Sequence, residues 1–182
     1  MPESDRFLVK LQRVARLRVT LGFVAAALAL WFAAPEWRSL GIGATVAALG
    51  EAVRVWAAGH IRKAQEVTTS GPYRLIRHPL YLGSCIIGIG FAVASASAVV
   101  AAIVGGYLVV MLWVAITLEE ATLRQAFGTE YDRYAAGELE PGERRFSMAQ
   151  AVRNGEHRTL LGFVAVLGVL SLKAWLSGLG VI

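Results

Sequence analysis

Five apolar runs broken by short polar segments constrain this chain most: Val19 to Ala34, Leu40 to Ala57, Leu80 to Ala94, Ala98 to Leu118 and Leu160 to Leu176. Apolar stretches of about 17 to 25 residues can cross the hydrocarbon core of a bilayer. With 56% hydrophobic residues and a mean hydropathy of +0.55, the 182 residues are too apolar for an ordinary soluble domain. The expected fold is all-α, a single polytopic membrane domain with about five transmembrane helices.

Orientation follows from the basic residues, which accumulate on the cytoplasmic side of membrane proteins. Fifteen of the eighteen fall in three segments: Arg6 to Arg18, Arg62 to Arg77, and Arg124 to Arg158. The intervening loops hold only Arg38. The amino terminus is therefore expected in the cytoplasm and the carboxyl terminus outside, with a bacterial inner membrane as the setting. The net charge of +5 clusters at membrane entry points, which favours anionic headgroups over nucleic acid as the partner. Cys85 is the only cysteine, so an internal disulfide and a thiolate metal cluster are excluded, and no metal is expected. Residues 1–18 read as an interfacial amphipathic segment, with Phe7, Leu11 and Val14 on one face. A retained first helix is favoured there over a cleaved signal peptide.

The first two runs (19–57) form a hairpin across Pro35 to Ser39. The third and fourth form another, reversing at Ala94-Ser95-Ala96-Ser97-Ala98. This second hairpin returns Pro79 and Glu119 to the same membrane face, so residues forty positions apart can share a pocket in a core spanning 58–136. Gly88, Gly90, Gly105 and Gly106 read as small residues that let helices approach closely. Residues 137–159 read as a polar cytoplasmic loop able to cover a site, ahead of a final helix over 160–182. In that helix Lys173 is expected to reach water near the outer face.

Polar chemistry concentrates at the mouth of the second hairpin. Gly71-Pro72-Tyr73-Arg74-Leu75-Ile76-Arg77-His78-Pro79-Leu80-Tyr81-Leu82-Gly83 ends in a proline suited to a first helical turn, with His78 held extended before it. A helix amino terminus beside Arg77, His78 and the Tyr81 hydroxyl suits an anion such as a carboxylate. Gly83 leaves room for close approach. The plainer alternative is that Arg77 and His78 bind lipid phosphates. Glu119 and Glu120 are expected to close the fourth helix, where carboxylates sit unfavourably against the dipole and call for compensation from the basic motif or a cationic ligand. In the second helix Glu51 and Arg54 share a face, either as a mutual ion pair or as functional charges, and Arg54 and His60 are candidate contacts for a substrate headgroup.

The Arg-His-Pro-x-Tyr-x-Gly run followed by Glu119-Glu120 and Phe127-Gly128-Thr129-Glu130-Tyr131-Asp132-Arg133-Tyr134 resembles the cofactor signature of the integral-membrane methyltransferases, the isoprenylcysteine carboxyl methyltransferase and phospholipid methyltransferase group. The resemblance covers roughly Glu51 to Tyr134. It implies S-adenosylmethionine as cofactor, contacted by Tyr73, Arg77, His78, Pro79, Tyr81, Gly83, Glu119 and Glu120, and a lipid or prenylated acceptor. Glu119, Glu120 and His78 are candidate bases should the acceptor be a protonated amine. Tyr131 and Tyr134 either pack on adenine or anchor the segment at the interface. Ala135 to Pro141 departs from the family pattern, lacking a basic, proline-containing ending, which bears on the acceptor region more than on the cofactor site. Carboxyl methylation of a prenyl-like lipid is the leading reading. Phospholipid amine N-methylation and a noncatalytic lipid-binding protein are the alternatives, and a nicotinamide-dependent sterol reductase would need more helices than five.

Overall fold

The computed structural model describes residues 3–63 and 65–180. Seven helices follow one another: α1 (Glu3–Phe32), α2 (Trp37–Ala58), α3 (Pro79–Ala94), α4 (Ala98–Phe127), α5 (Thr129–Ala135), α6 (Met148–Arg153) and α7 (Glu156–Gly178). A single 3₁₀ turn, Gly71–Arg74, precedes α3. There is no strand among the described residues.

Among the described residues four helices are long and apolar enough to cross a bilayer: Lys10–Phe32 within α1, then α2, α4 and α7. The fifth expected crossing, α3, has 16 residues, a length of about 24 Å against a core of about 30 Å. It is the helix most enclosed by protein, because small residues bring its backbone against α2. A Cβ on Gly43 would collide with the Ala94 backbone and one on Gly90 with Ala47, while one on Gly50 would lie 2.7 Å from the Gly83 carbonyl. The glycine expectation holds in part. Gly88 does pack, under Leu108, and Gly90 does, but Gly105 and Gly106 face open space, and the decisive partners Gly43 and Gly50 lie in α2.

Both hairpin reversals meet at one end of the bundle, where the Ala34 amide donates to the Ser95 carbonyl at 2.8 Å. The turn between α1 and α2 is Ala33 to Glu36, slightly earlier than Pro35 to Ser39, because Ser39 joins the first turn of α2 and exchanges hydrogen bonds with Glu36. Ala33, Leu40, Ala94, Val100 and Leu170 form the buried cluster beneath. Lys173 is half-exposed and also bonded to protein. Its Nζ donates to the Leu30 and Trp31 carbonyls at 2.9 and 2.8 Å, satisfying the otherwise unpaired end of α1.

At the other end, α1 runs on as one helix without a break at Val19. The chain α4 also outruns expectation: Glu119 and Glu120 lie inside it, about two turns before its end, because Ala121 to Phe127 contains good helix formers and the stop comes at Gly128, whose φ of +52° suits a residue without Cβ. The helix-dipole argument for those carboxylates therefore lapses. The loop expected over 137–159 contains α6, and α7 begins at Glu156 instead of Leu160. This segment straps the 59–70 connection. Gly142 N donates to Thr69 Oγ1, Arg144 to the His60 carbonyl, and Asn154 to the Ala58 and Ile61 carbonyls.

Candidate active site

Pro79 occupies the first turn of α3 and leaves His78 as the residue just outside the helix. From there the imidazole faces α4. His78 Nε2 lies 3.1 Å from Glu120 Oε1, and Nδ1 lies 4.0 Å from Glu119 Oε2. Arg77 approaches Glu120 at 3.6 Å and Arg124, one turn along α4, does so at 3.4 Å. Glu120 is thus the hub of three cationic or hydrogen-bonding neighbours. Glu119 lies on the Nδ1 side of the imidazole, and the Tyr81 ring is 5.8 Å from that of His78.

Beside this cluster is a cavity of about 410 Å³. One wall is a continuous face of α4, Met111, Val114, Ala115, Leu118, Glu119, Thr122, Leu123, Ala126 and Phe127, the spacing of one helical stripe. Ala15 and Arg18 of α1 stand opposite, Tyr131 and Tyr134 close the outer end, and Ile61 to Thr68 contributes Arg62, Lys63 and Glu66. Arg77, His78, Tyr81 and Glu119 supply polar lining, and Met111, Val114, Ala115 and Leu118 of α4 supply apolar lining, with Arg18 facing them from α1. A smaller space of about 180 Å³ adjoins it and shares Lys63, Tyr73, Arg77, His78, Tyr81 and Glu119.

Three residues of the large cavity's lining carry a fully buried hydroxyl with no protein partner: Thr68 Oγ1, Tyr73 Oη and Tyr131 Oη. Buried hydroxyls normally find a partner, and these three have none among the described residues. Burial pushes the Tyr73 and Tyr131 phenols up and holds them as neutral hydroxyls. Tyr134 donates to the Tyr73 carbonyl at 2.9 Å, and burial followed by the neighbouring Tyr131 pushes its phenol up to about 12. Both tyrosines expected to pack on a cofactor or anchor the segment therefore line the cavity, and Tyr134 also ties α5 to the 3₁₀ turn.

Of the residues expected at the site, Tyr73, Arg77, His78, Tyr81 and Glu119 line the large cavity, Glu120 sits behind His78, and Pro79 borders the smaller space. Gly83 faces α2, where a Cβ would meet Arg54 Cγ and the Gly50 carbonyl. Its small size serves the helix seam. Arg54 borders the smaller space, but its guanidinium is fully engaged, donating to both Glu156 oxygens at 3.1 and 2.9 Å, to Ser84 Oγ at 2.6 Å, and to Thr159 and the Leu80 carbonyl. The Glu51 pairing does not form; Glu51 is buried and both its oxygens lack partners. His60 lies outside both spaces. It is buried, with Nδ1 2.9 Å from the Trp56 carbonyl, and its ring lies beneath Gly71, whose φ of +58° and missing side chain that stacking requires. Two residues beside the site carry little signal in the sequence. Glu156 falls in the segment expected as a loop, its signal being a carboxylate beside an apolar run, and Thr68 belongs to the hydroxyl-rich Thr68-Thr69-Ser70 before the motif.

The phospholipid methyltransferase family profile matches residues 17–130, which takes in the hairpin, both carboxylates and most of the cavity wall. The chain belongs to that family. Two curated relatives are similar over 141 residues: the cobalt-zinc-cadmium resistance protein CzcN of Cupriavidus metallidurans, 33% identical, and the nickel-cobalt-cadmium resistance protein NccN of Alcaligenes xylosoxydans xylosoxydans, 32% identical. In each case the aligned part is 72% of this chain and 63% or 64% of the relative, so the chain spans just under two thirds of these relatives' length. No solved structure matches. Membership in the family makes this a membrane methyltransferase-type domain, and the match centres on the segment that carries the site.

Proposed function

We propose that the protein transfers a methyl group from S-adenosylmethionine to a lipid-soluble acceptor at the cytoplasmic membrane face, with carboxyl methylation of a prenyl-like lipid as the leading case. The observation that carries this reading is one cavity lined both by the polar Lys63, Tyr73, Arg77, His78, Tyr81 and Glu119 and by the apolar α4 residues Met111, Val114, Ala115 and Leu118.

The polar lining fits the cofactor. Lys63 and Arg77 suit its carboxylate, the unpartnered hydroxyls of Thr68, Tyr73 and Tyr131 suit its polar groups, and Glu119 with the Tyr81 ring suits a sulfonium charge. Bound there, S-adenosylmethionine would supply an electrophilic methyl carbon. The chain's own work is placement. The α4 stripe and Ala15 hold the acceptor's apolar body, and the enclosing walls keep competing water out. Glu120 holds His78 in register. A carboxylate acceptor needs no base; a protonated amine does, and Glu119 is a cavity-lining carboxylate that can take the proton.

Amine methylation of a phospholipid headgroup is the second reading, favoured by the family's description. The names of the relatives connect those proteins to metal resistance; should this chain share that setting, methyl incorporation into lipid would change when cells meet cobalt, zinc or cadmium. The deciding experiment incubates purified protein and host membranes with methyl-labelled S-adenosylmethionine, extracts the lipids and treats them with mild alkali. Label released as methanol supports a carboxyl ester. Alkali-stable label in a polar lipid supports amine methylation, and absence of label from every lipid fraction overturns the methyl-transfer reading.

A further inference from the structure

The α4 stripe that lines the large cavity starts at Phe127 and ends at Met111. One turn further is Tyr107, whose hydroxyl donates to the Arg18 carbonyl at 3.0 Å. That approach is possible because residue 22 is glycine: a Cβ there would lie 2.8 Å from the Tyr107 oxygen. On the neighbouring face of α4, Leu108 covers Gly88 of α3 so closely that a Cβ would collide with it. Gly22, Tyr107, Leu108 and Gly88 therefore link α1, α4 and α3 one helical turn beyond Met111, the last α4 residue on the cavity. The hydrogen bond holds the half-buried phenol against α1.

We propose that Tyr107, seated against Gly22, is the floor of the acceptor's tail subsite and sets the length of hydrocarbon the protein accepts. This rests on the acceptor reading above. From the level of Glu119 to Met111 is two helical turns, about 12 Å, so a short single chain fits inside and a longer one meets the phenol. A pocket that stops a chain in this way discriminates per added carbon unit by roughly tenfold or more.

The test is competition for a photoactivatable farnesyl amphiphile by N-acetyl-S-geranyl-, S-farnesyl- and S-geranylgeranyl-cysteine, run on the full chain in detergent and paired with methyl transfer to the same compounds. Tyr107→Ala removes the floor and should shift preference about tenfold toward the longest chain. Met111→Trp fills the space above it and should shift preference the other way, while Tyr107→Phe keeps the ring and should leave the preference unchanged. Unmoved preference in both Tyr107→Ala and Met111→Trp overturns the proposal, as does absence of any length dependence in the wild-type protein. Length-dependent binding without methyl transfer to any of the three supports the floor and counts against the prenyl-carboxylate reading, so the two failures are distinct.

Discussion

His78 Nε2 and Glu120 Oε1 lie 3.1 Å apart although forty-two residues separate them in the chain. The contact closes the mouth of the α3–α4 hairpin and fixes the imidazole against the cavity that Glu119 shares. Arg77 and Arg124 reach the same carboxylate from either side, so Glu120 organises the polar wall without lining the cavity itself.

Glu120→Gln and His78→Ala should each weaken binding of S-adenosylmethionine. A hydrogen bond to a charged group contributes about 1.5 to 3 kcal/mol, roughly ten- to a hundredfold in affinity. Because the two residues act through one contact, the double variant should lose less than the sum of the single losses. Titration calorimetry on detergent-solubilised protein measures all three, and unchanged affinity in both single variants would remove the site assignment.

The Arg54–Glu156 pair should matter to stability first. Its side chains are 17% and 6% exposed, and it joins α2 to α7 while also holding α3 through Ser84. Removing one partner of such a buried pair costs about 3 to 5 kcal/mol, so Arg54→Ala and Glu156→Ala should both lower the thermal midpoint steeply. Arg54→Lys should recover little, since a single ammonium cannot reproduce the forked contact. A thermal melt in detergent decides this, and an unaltered midpoint in Arg54→Ala would contradict the tie.

Glu66 and Arg144 give the strap a pH dependence. The hydrogen bond from Arg144 holds the Glu66 carboxyl below the usual carboxylate value. A depressed folded-state value means that the stabilisation is complete above the ordinary carboxylate pKa, about 4.3, and is lost as pH falls through the lower folded value. The pair is partly exposed, so the effect is small and local. Proteolysis between residues 59 and 70 by an acid-active protease should rise as pH drops below about 4.3, and Glu66→Gln should show raised cleavage at every pH without that dependence.

The hairpin, its reversal at Ala94 to Ala98 and the meeting of His78 with the Glu119–Glu120 pair were legible because polar residues in apolar surroundings stand out and hairpin length is fixed by bilayer thickness. The partner of Arg54 was not. Glu51 is nearer in sequence and on the same helix face, and only the packing of α7 onto α2 makes Glu156 the nearer charge. Gly43 and Gly50 looked like ordinary glycines of an apolar helix, whereas Gly105 and Gly106 looked like a packing pair; which face of a helix meets a neighbour is a tertiary fact that composition does not carry. Tyr107 was silent for the same reason, since its meaning depends on Gly22 in another helix.

Lys173, by holding the last carbonyls of α1, pins α7 to α1 at the end of the bundle away from the cavity. That end behaves as the rivet of a pair of tongs. Any parting of α1 from its neighbours must then be greatest at the opposite tips, where α1 and α4 flank the cavity.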